Sequence, residues 1–353
     1  MRVKSAFKDM DIARLIIAAF FVFLCIAAVA LRLNISELIS SSLTRMGMWG
    51  VLVLAMLPAI VSGTGPNFGV SLGIVCGLLG GLTALELAYR MEGVVAFPPG
   101  ALFLVAILFS LPFALLVGIG YGWLLNRVKG SEMMIATYVG FSIVSIMKLA
   151  WVFLPFKNPE MAWPIGRGVR VQIALANRGL AQILNNFLAF RIGDVVVPTG
   201  LLLAVALAAF LMWLFLRSQT GMAMATAGSN PRFAEASGIV VDHQRIIGTV
   251  LSTVLGAVGI LVYSQSYGFL QLYEAPMFMP FVAVAAILIG GASVKKATIT
   301  HVIIGTVLFL GIQVVAGPVA NAFTADWSSM GEISRKIIQN GVILYALTQA
   351  GGE

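Results

Sequence analysis

Apolar runs separated by short polar punctuation follow one another along almost the whole chain. Ten of them have the length and character of bilayer-crossing helices: about 15–31, 48–62, 69–87, 101–125, 133–155, 198–216, 246–263, 277–291, 298–316 and 335–349. They predict an all-α fold, a polytopic integral membrane bundle of about ten transmembrane helices forming a single domain over residues 1–353. Alternating strands of membrane-barrel type are not seen. Only "GTGPNF" parts the second run from the third, too little for an ordinary exposed loop. A broken membrane segment is therefore expected near residues 63–68, where irregular backbone survives only against protein or a cavity. The largest polar region is 156–197. Within it, "VQIALANRGLAQILNNFLAF" has a helical apolar pattern with polar breaks and predicts a helix lying along the membrane surface.

Composition sharpens this picture. The chain is 60% hydrophobic and 10% charged, against roughly a quarter charged in soluble domains, so the expected surroundings are a lipid bilayer. A net charge of +8 is explained by cytoplasmic loops and headgroups. No basic run carries interleaved aromatics, which argues against a nucleic-acid partner. Arg2, Lys4 and Lys8 precede an apolar run ending in "AAVA", as in a secretory leader, but the run is long for one and reads as a first transmembrane helix. Ten spans place both termini on one side. The positive-inside rule assigns Arg2, Lys4, Lys8, Arg14, Arg127, Lys129, Arg217, Arg232, Arg245, Lys295 and Lys296 to the cytoplasm, in an inner (plasma) membrane protein. Cys25 and Cys76 lie in apolar runs and read as packing residues rather than a disulfide.

Reactive chemistry is hard to find. "GGASVKKA" does not match a phosphate-binding Walker loop. His243 and His301 stand alone, without cysteine or carboxylate at metal-ligand spacing. No nucleophile–base grouping is recognisable. The reading is a transport subunit that is not an enzyme, with no metal and no cofactor. Glu86 and Lys148 sit near the ends of spans and can reach an interface; a carboxylate deep in the bundle, which a proton-coupled carrier needs, is not evident. Helix packing is clearest at Gly69, Gly73, Gly77 and Gly81, whose spacing of four puts them on one helix face. Gly118 and Gly122 repeat the device. Beside the break, Asn67, Phe68 and Ser71 are candidate substrate-pathway residues, because a broken helix exposes backbone donors and acceptors. Asn67 could instead only cap the next helix.

One polar stretch, "GSNPRFAEASGI", lies between two apolar runs. Asn230 suits an N-cap, Pro231 the first helical position, and Gly238 the left-handed residue after the last turn. A helix of two turns, Pro231 to Ser237, is marginal alone and calls for a partner.

With that stretch placed in the cytoplasm, it resembles the coupling segment of permease subunits in ribose-type/branched-chain-type bacterial ABC importers, which reads G-x-N-x-x-A-A-x-x-S-G-I. Gly228, Asn230, Glu235, Ser237, Gly238 and Ile239 fall on or near those positions. "NRVKGSEMMIATYVG" is similar to N-G-x-x-x-x-x-x-x-P-x-F-I-A-T-L-G without its proline, and "AVAAILIGGAS" to A-I-A-A-V-V-L-G-G-T-S. The resemblance implies a permease subunit that pairs with a second permease chain, identical or paralogous, to form the pathway. It further implies an ABC ATPase subunit docked on 231–237 and an extracytoplasmic substrate-binding protein. In that setting Arg232 and Glu235 would orient the docking, Phe233 would be its apolar contact, and Asn67, Phe68 and Ser71 would line the path. Two departures bear on the solute. The sugar-type G-G-I-D-L-S-V-G reads "GTGPNFGVS" here, and the acidic Y-E-L-D is replaced by "MPFV". "NFGV" is similar to the F-N-I-G-V of the nucleoside-type branch, so a sugar and a nucleoside both remain open. The alternative is a self-sufficient secondary transporter or channel.

Overall fold

The computed structural model describes residues 12–92, 98–163 and 168–323, with isolated helical positions between 333 and 344. Most of the predicted tenth span, and the basic residues Arg2, Lys4 and Lys8, fall outside these. In chain order the helices are α1 (Ile12–Ala30), α2 (Ile35–Leu54), α3 (Met56–Val61), α4 (Ser71–Arg90), α5 (Pro99–Arg127), α6 (Glu132–Phe153), α7 (Ile183–Asn186), α8 (Thr199–Leu216), α9 (Gln219–Ser229), α10 (Pro231–Ala236), α11 (Val241–Tyr267), α12 (Glu274–Ile289) and α13 (Ile299–Phe323). Among the described residues, seven helical segments are long and apolar enough to cross a membrane, and two shorter apolar helices, Leu15–Ala30 and Glu274–Ile289, accompany them. The chain is a polytopic helical membrane protein, and the count of about ten is loose.

Several boundaries have local causes. α2 starts at Ile35, well before the apolar run at 48–62. Asn34 caps it, its Oδ1 accepting the Glu37 N–H at 3.2 Å. The polar residues that follow are accommodated by bonding back one turn, Ser40 to the Ser36 carbonyl and Thr44 to the Ser40 carbonyl. Pro58 has no N–H for the preceding turn, and α2 gives way to α3 at Ala55.

α11 is the central post, packed on α2, α4 and α5. It lies antiparallel to α2 (Trp49 meets the Tyr263 ring edge-on at 5.2 Å) and parallel to α4. Glycines set this closeness. A Cβ at Gly73 would come within 2.2 Å of the Thr253 carbonyl oxygen, and one at Gly77 within 2.4 Å of the Ala257 oxygen. At Gly81 the atoms nearest such a Cβ, on Leu261 and Leu270, are 3.3 Å away, while at Gly69 it would come within 2.2 Å of the Tyr121 hydroxyl of α5. Gly118 and Gly122 bring α5 toward Val250 and Ile246 of α11 less closely, an added Cβ coming within 3.1 and 3.0 Å of their Cα atoms.

Segment 156–197 departs from the sequence expectation. Where a surface helix is predicted, the chain forms strand β1 (Gln172–Ala174), a 3-10 turn at Ala176–Arg178, the four-residue α7, and a hairpin of β2 (Phe190–Ile192) and β3 (Val195–Val197). β1 pairs antiparallel with β4 (Phe269–Gln271). The cause is a competing partner. Residues 264–272, the last turn of α11 and the stretch that follows it, take up the segment's backbone, with the Gln182 N–H donating to the Gln265 carbonyl at 2.6 Å and the Leu175 N–H to that of Gly268 at 2.9 Å. Left-handed backbone at Gly179, Gln182 and Leu188 then interrupts any helix. The bundle thus has a strand end and, opposite it, an end carrying α9 and α10.

Candidate functional site

α10 is built as its sequence dictates. The Asn230 side chain accepts the Phe233 N–H at 3.1 Å, Pro231 occupies the first turn, Ser237 is the C-cap, and Gly238 turns left-handed at φ +80°. Part of what holds the helix lies within the chain itself. Ala234 is buried in a small cluster with Ala227 of α9 and Val241 of α11, flanked by Ile239. The chain itself therefore supplies one support. Phe233 points the other way and is 60% exposed, with Arg232 and Glu235 exposed beside it. An aromatic ring on a short, internally braced helix presents an apolar contact to whatever approaches that end.

The helix before it, α9, went unrecognised in the sequence, although Ser218 is an N-cap signal and accepts the Gly221 N–H at 3.2 Å. Its last turn carries Gly228 against the membrane break. A Cβ at Gly228 would come within 2.0 Å of the Val61 carbonyl oxygen and 2.8 Å of the Gly63 nitrogen. The two backbones touch, and only glycine permits it.

The break is a buried reversal of the chain. α3 ends at Val61, Gly63 and Gly65 take positive φ, and a 3-10 turn at Phe68–Val70 leads into α4. Ser62 and Thr64 both donate to the Ala59 carbonyl, satisfying the frayed end. Asn67 does not cap the following helix. Its Nδ2 donates to Ser252 Oγ at 2.7 Å, and its Oδ1 accepts the Tyr121 hydroxyl at 2.9 Å. Ser252 lies eleven residues into α11, so at 1.5 Å per residue this bond sits about 16 Å from the start of that helix. Ser71 donates to the Pro276 carbonyl of α12 at 2.7 Å. Phe68 packs against Phe281 of α12 with centroids 5.7 Å apart, and Phe281 meets Phe141 of α6 at 6.1 Å. Asn67 and Ser71 are buried, whereas Phe141 is 42% exposed, so this aromatic row leads from the break to the surface of α6.

Charged groups at the α10 end brace the same region. Arg245 donates from Nη2 to Glu132 at 2.6 Å and from Nε to Asn126 at 2.9 Å, and Asn126 donates in turn to the Asp242 carbonyl. Lys129 pairs with Asp242 at 2.5 Å. At the strand end lies Glu86, near the end of α4. It is buried, accepting from Arg90 at 2.7 Å and from the backbone N–H groups of Lys157 and Asn158, and so staples the long polar segment to α4. Lys148 is exposed on α6. The partners Tyr121, Ser252 and Arg245 were missed in the sequence. Arg245 alone left a trace, as a basic residue assigned to the cytoplasm just before the apolar run at 246–263.

Among known proteins, this chain is similar to the nucleoside ABC transporter permease protein NupC of Lactococcus lactis subsp. cremoris, with 28% identity over 117 residues. That match covers 33% of this chain and 36% of the relative, so the chain spans little more than a third of that protein's length. The model of the family described as branched-chain amino acid transport system / permease component matches residues 38–347, and the chain belongs to that family of ABC permeases.

Proposed function

We propose that two permease chains, of which this is one, form the pathway of an ATP-driven importer, each docking a separate ATPase subunit through α10. The observation that carries this reading is the divided helix: Ala234 fastens it to its own chain while Phe233 stands 60% exposed, flanked by Arg232 and Glu235. Phe233 enters a groove on the ATPase, and the two charged neighbours set its orientation. The α10 end is then cytoplasmic, as the basic residues Arg127, Lys129, Arg217, Arg232, Lys295 and Lys296 there support. An extracytoplasmic binding protein delivers the solute at the strand end. Nucleotide binding biases the inward- and outward-facing states by its differential affinity for them.

The route from α10 to the pathway is short. Displacement of α9 bears on Gly63 through Gly228, and Gly63 belongs to the turn that carries Asn67, Phe68 and Ser71. That turn borders the path, reaching the surface of α6 through the Phe68–Phe281–Phe141 row. A nucleoside or a sugar is the solute class, a nucleoside being what the named relative carries. An aromatic row offers either a face to stack on.

The test is purification from native membranes in mild detergent, followed by Phe233→Ala. The expected outcome is a stoichiometric ATPase with the wild-type chain. The variant should insert normally, lose the ATPase and lose ATP-driven uptake. A chain that purifies alone and moves solute in vesicles without ATP would sink the proposal in favour of a self-sufficient transporter.

A further inference from the structure

Between α2 and α13, at the strand end, lies an open cavity of about 630 Å³, within the range of small-molecule sites. Six polar side chains line it: Asn34, Glu37, Ser41 and Arg45 from the start and first half of α2, and Gln313 and Asn321 from the second half of α13. The first four recur at intervals of three and four and so share one helix face. Arg45 is the eleventh residue of α2, about 15 Å along the helix from its strand-end start. Gln313 lies ten residues before the end of α13, at a matching depth. The polar wall therefore descends from the strand end to the middle of two membrane-spanning helices.

A guanidinium at that depth in hydrocarbon is costly unless it faces water or a polar partner, and an intramembrane ionisable residue of this kind marks a site. Gln313 adds a second and independent sign. It is 7% exposed, and its Nε2 donor is buried without a hydrogen-bond partner, an arrangement that packing alone disfavours.

The chemistry of the wall selects its occupant. One cation and one anion, Arg45 and Glu37, leave no net charge, so a charged solute would face one of them unfavourably. Amides, a hydroxyl, a carboxylate and a guanidinium together offer both donors and acceptors, which matches vicinal hydroxyl groups. We infer that this cavity is a binding site for a neutral, hydroxyl-rich sugar ring, either a free sugar or the sugar of a nucleoside. Its extracytoplasmic placement rests on the importer reading.

The site is tested with Ser41→Cys in the full chain, using a membrane-impermeant thiol reagent on intact spheroplasts. Peptide mass spectrometry reads the rate at position 41 apart from the native Cys25 and Cys76. Position 41 should label, and ribose or uridine at about four times its Kd should slow the labelling about five-fold. Protection by ribose assigns a free sugar, and protection by uridine alone assigns a nucleoside. Adding Gln313→Leu should abolish protection while labelling itself continues. An inert position 41, labelling that neither solute slows, or protection that survives Gln313→Leu overturns the inference. Labelling confined to inverted vesicles overturns the placement. The importer reading stands or falls separately, on recovery of the ATPase.

Discussion

Asn67 shows how much one side chain holds together. Its amide joins α11 through Ser252 and α5 through Tyr121, partners 185 and 54 residues away. Asn67→Ala leaves both hydroxyls buried without that partner, and about 2 kcal/mol of stability should be lost. A lowered melting temperature in detergent would show this, and an unchanged one would mean water replaces the amide. Gly238 makes a smaller, backbone demand. With φ at +80°, Gly238→Ala should cost about 1 kcal/mol, read as weaker ATPase retention with the bundle's melting temperature unmoved. That Asn67 sits at a break was legible from "GTGPNF", because glycine and proline act locally. What its amide bonds to was not legible, since nothing in the neighbouring residues encodes it.

At the level of elements, the glycine face of α4 makes a graded prediction. Gly73→Ala drives a Cβ to 2.2 Å from a backbone oxygen, so α4 and α11 must part; Gly81→Ala meets only leucine methyls at 3.3 Å. The first should lower the melting temperature by an amount equivalent to about 1–3 kcal/mol, and the second should leave it nearly unchanged. Equal effects would mean the helices adjust freely. The spacing of four revealed the face, but not which glycine touches main chain. The pair Arg245–Glu132, with side chains only 10% and 15% exposed, braces the α5–α6 turn against α11. Arg245→Met should cost about 3 kcal/mol by stranding a carboxylate. Arg245→Met with Glu132→Gln should recover most of that, a thermal double-mutant comparison that an unpaired role for Arg245 would not satisfy.

For the whole molecule, the topology sets α10 and the strands at opposite ends. Arg232 on α10 and Arg191 on β2 are both exposed. In intact spheroplasts an impermeant thiol reagent should label Arg191→Cys, and should label Arg232→Cys only after permeabilisation. The reverse pattern would invert the orientation. Two consequences follow from the arrangement of the bundle. The helices most open to their surroundings include α6 and α8, and the aromatic row from the break emerges on α6.

Sequence alone determined what depends on near neighbours. Apolar runs, a three-residue cap at Asn230, a proline at Pro231 and the glycines of the break act within a turn or two, so the membrane bundle, its interruption near 63–68 and the helix at Pro231 could all be read directly. The same local logic, used more fully, would have found the start of α2 from Asn34 and Glu37. Tertiary structure decided whatever needed a distant partner. Segment 171–190 has a helical pattern, yet much of its backbone bonding is taken by the end of α11 and β4. Ala234 is tucked against Ala227 and Val241, which leaves Phe233 outside. Arg45 and Gln313 come from opposite parts of the chain to line one cavity. In each case competing local preferences are nearly balanced in energy, and contacts across the bundle choose between them.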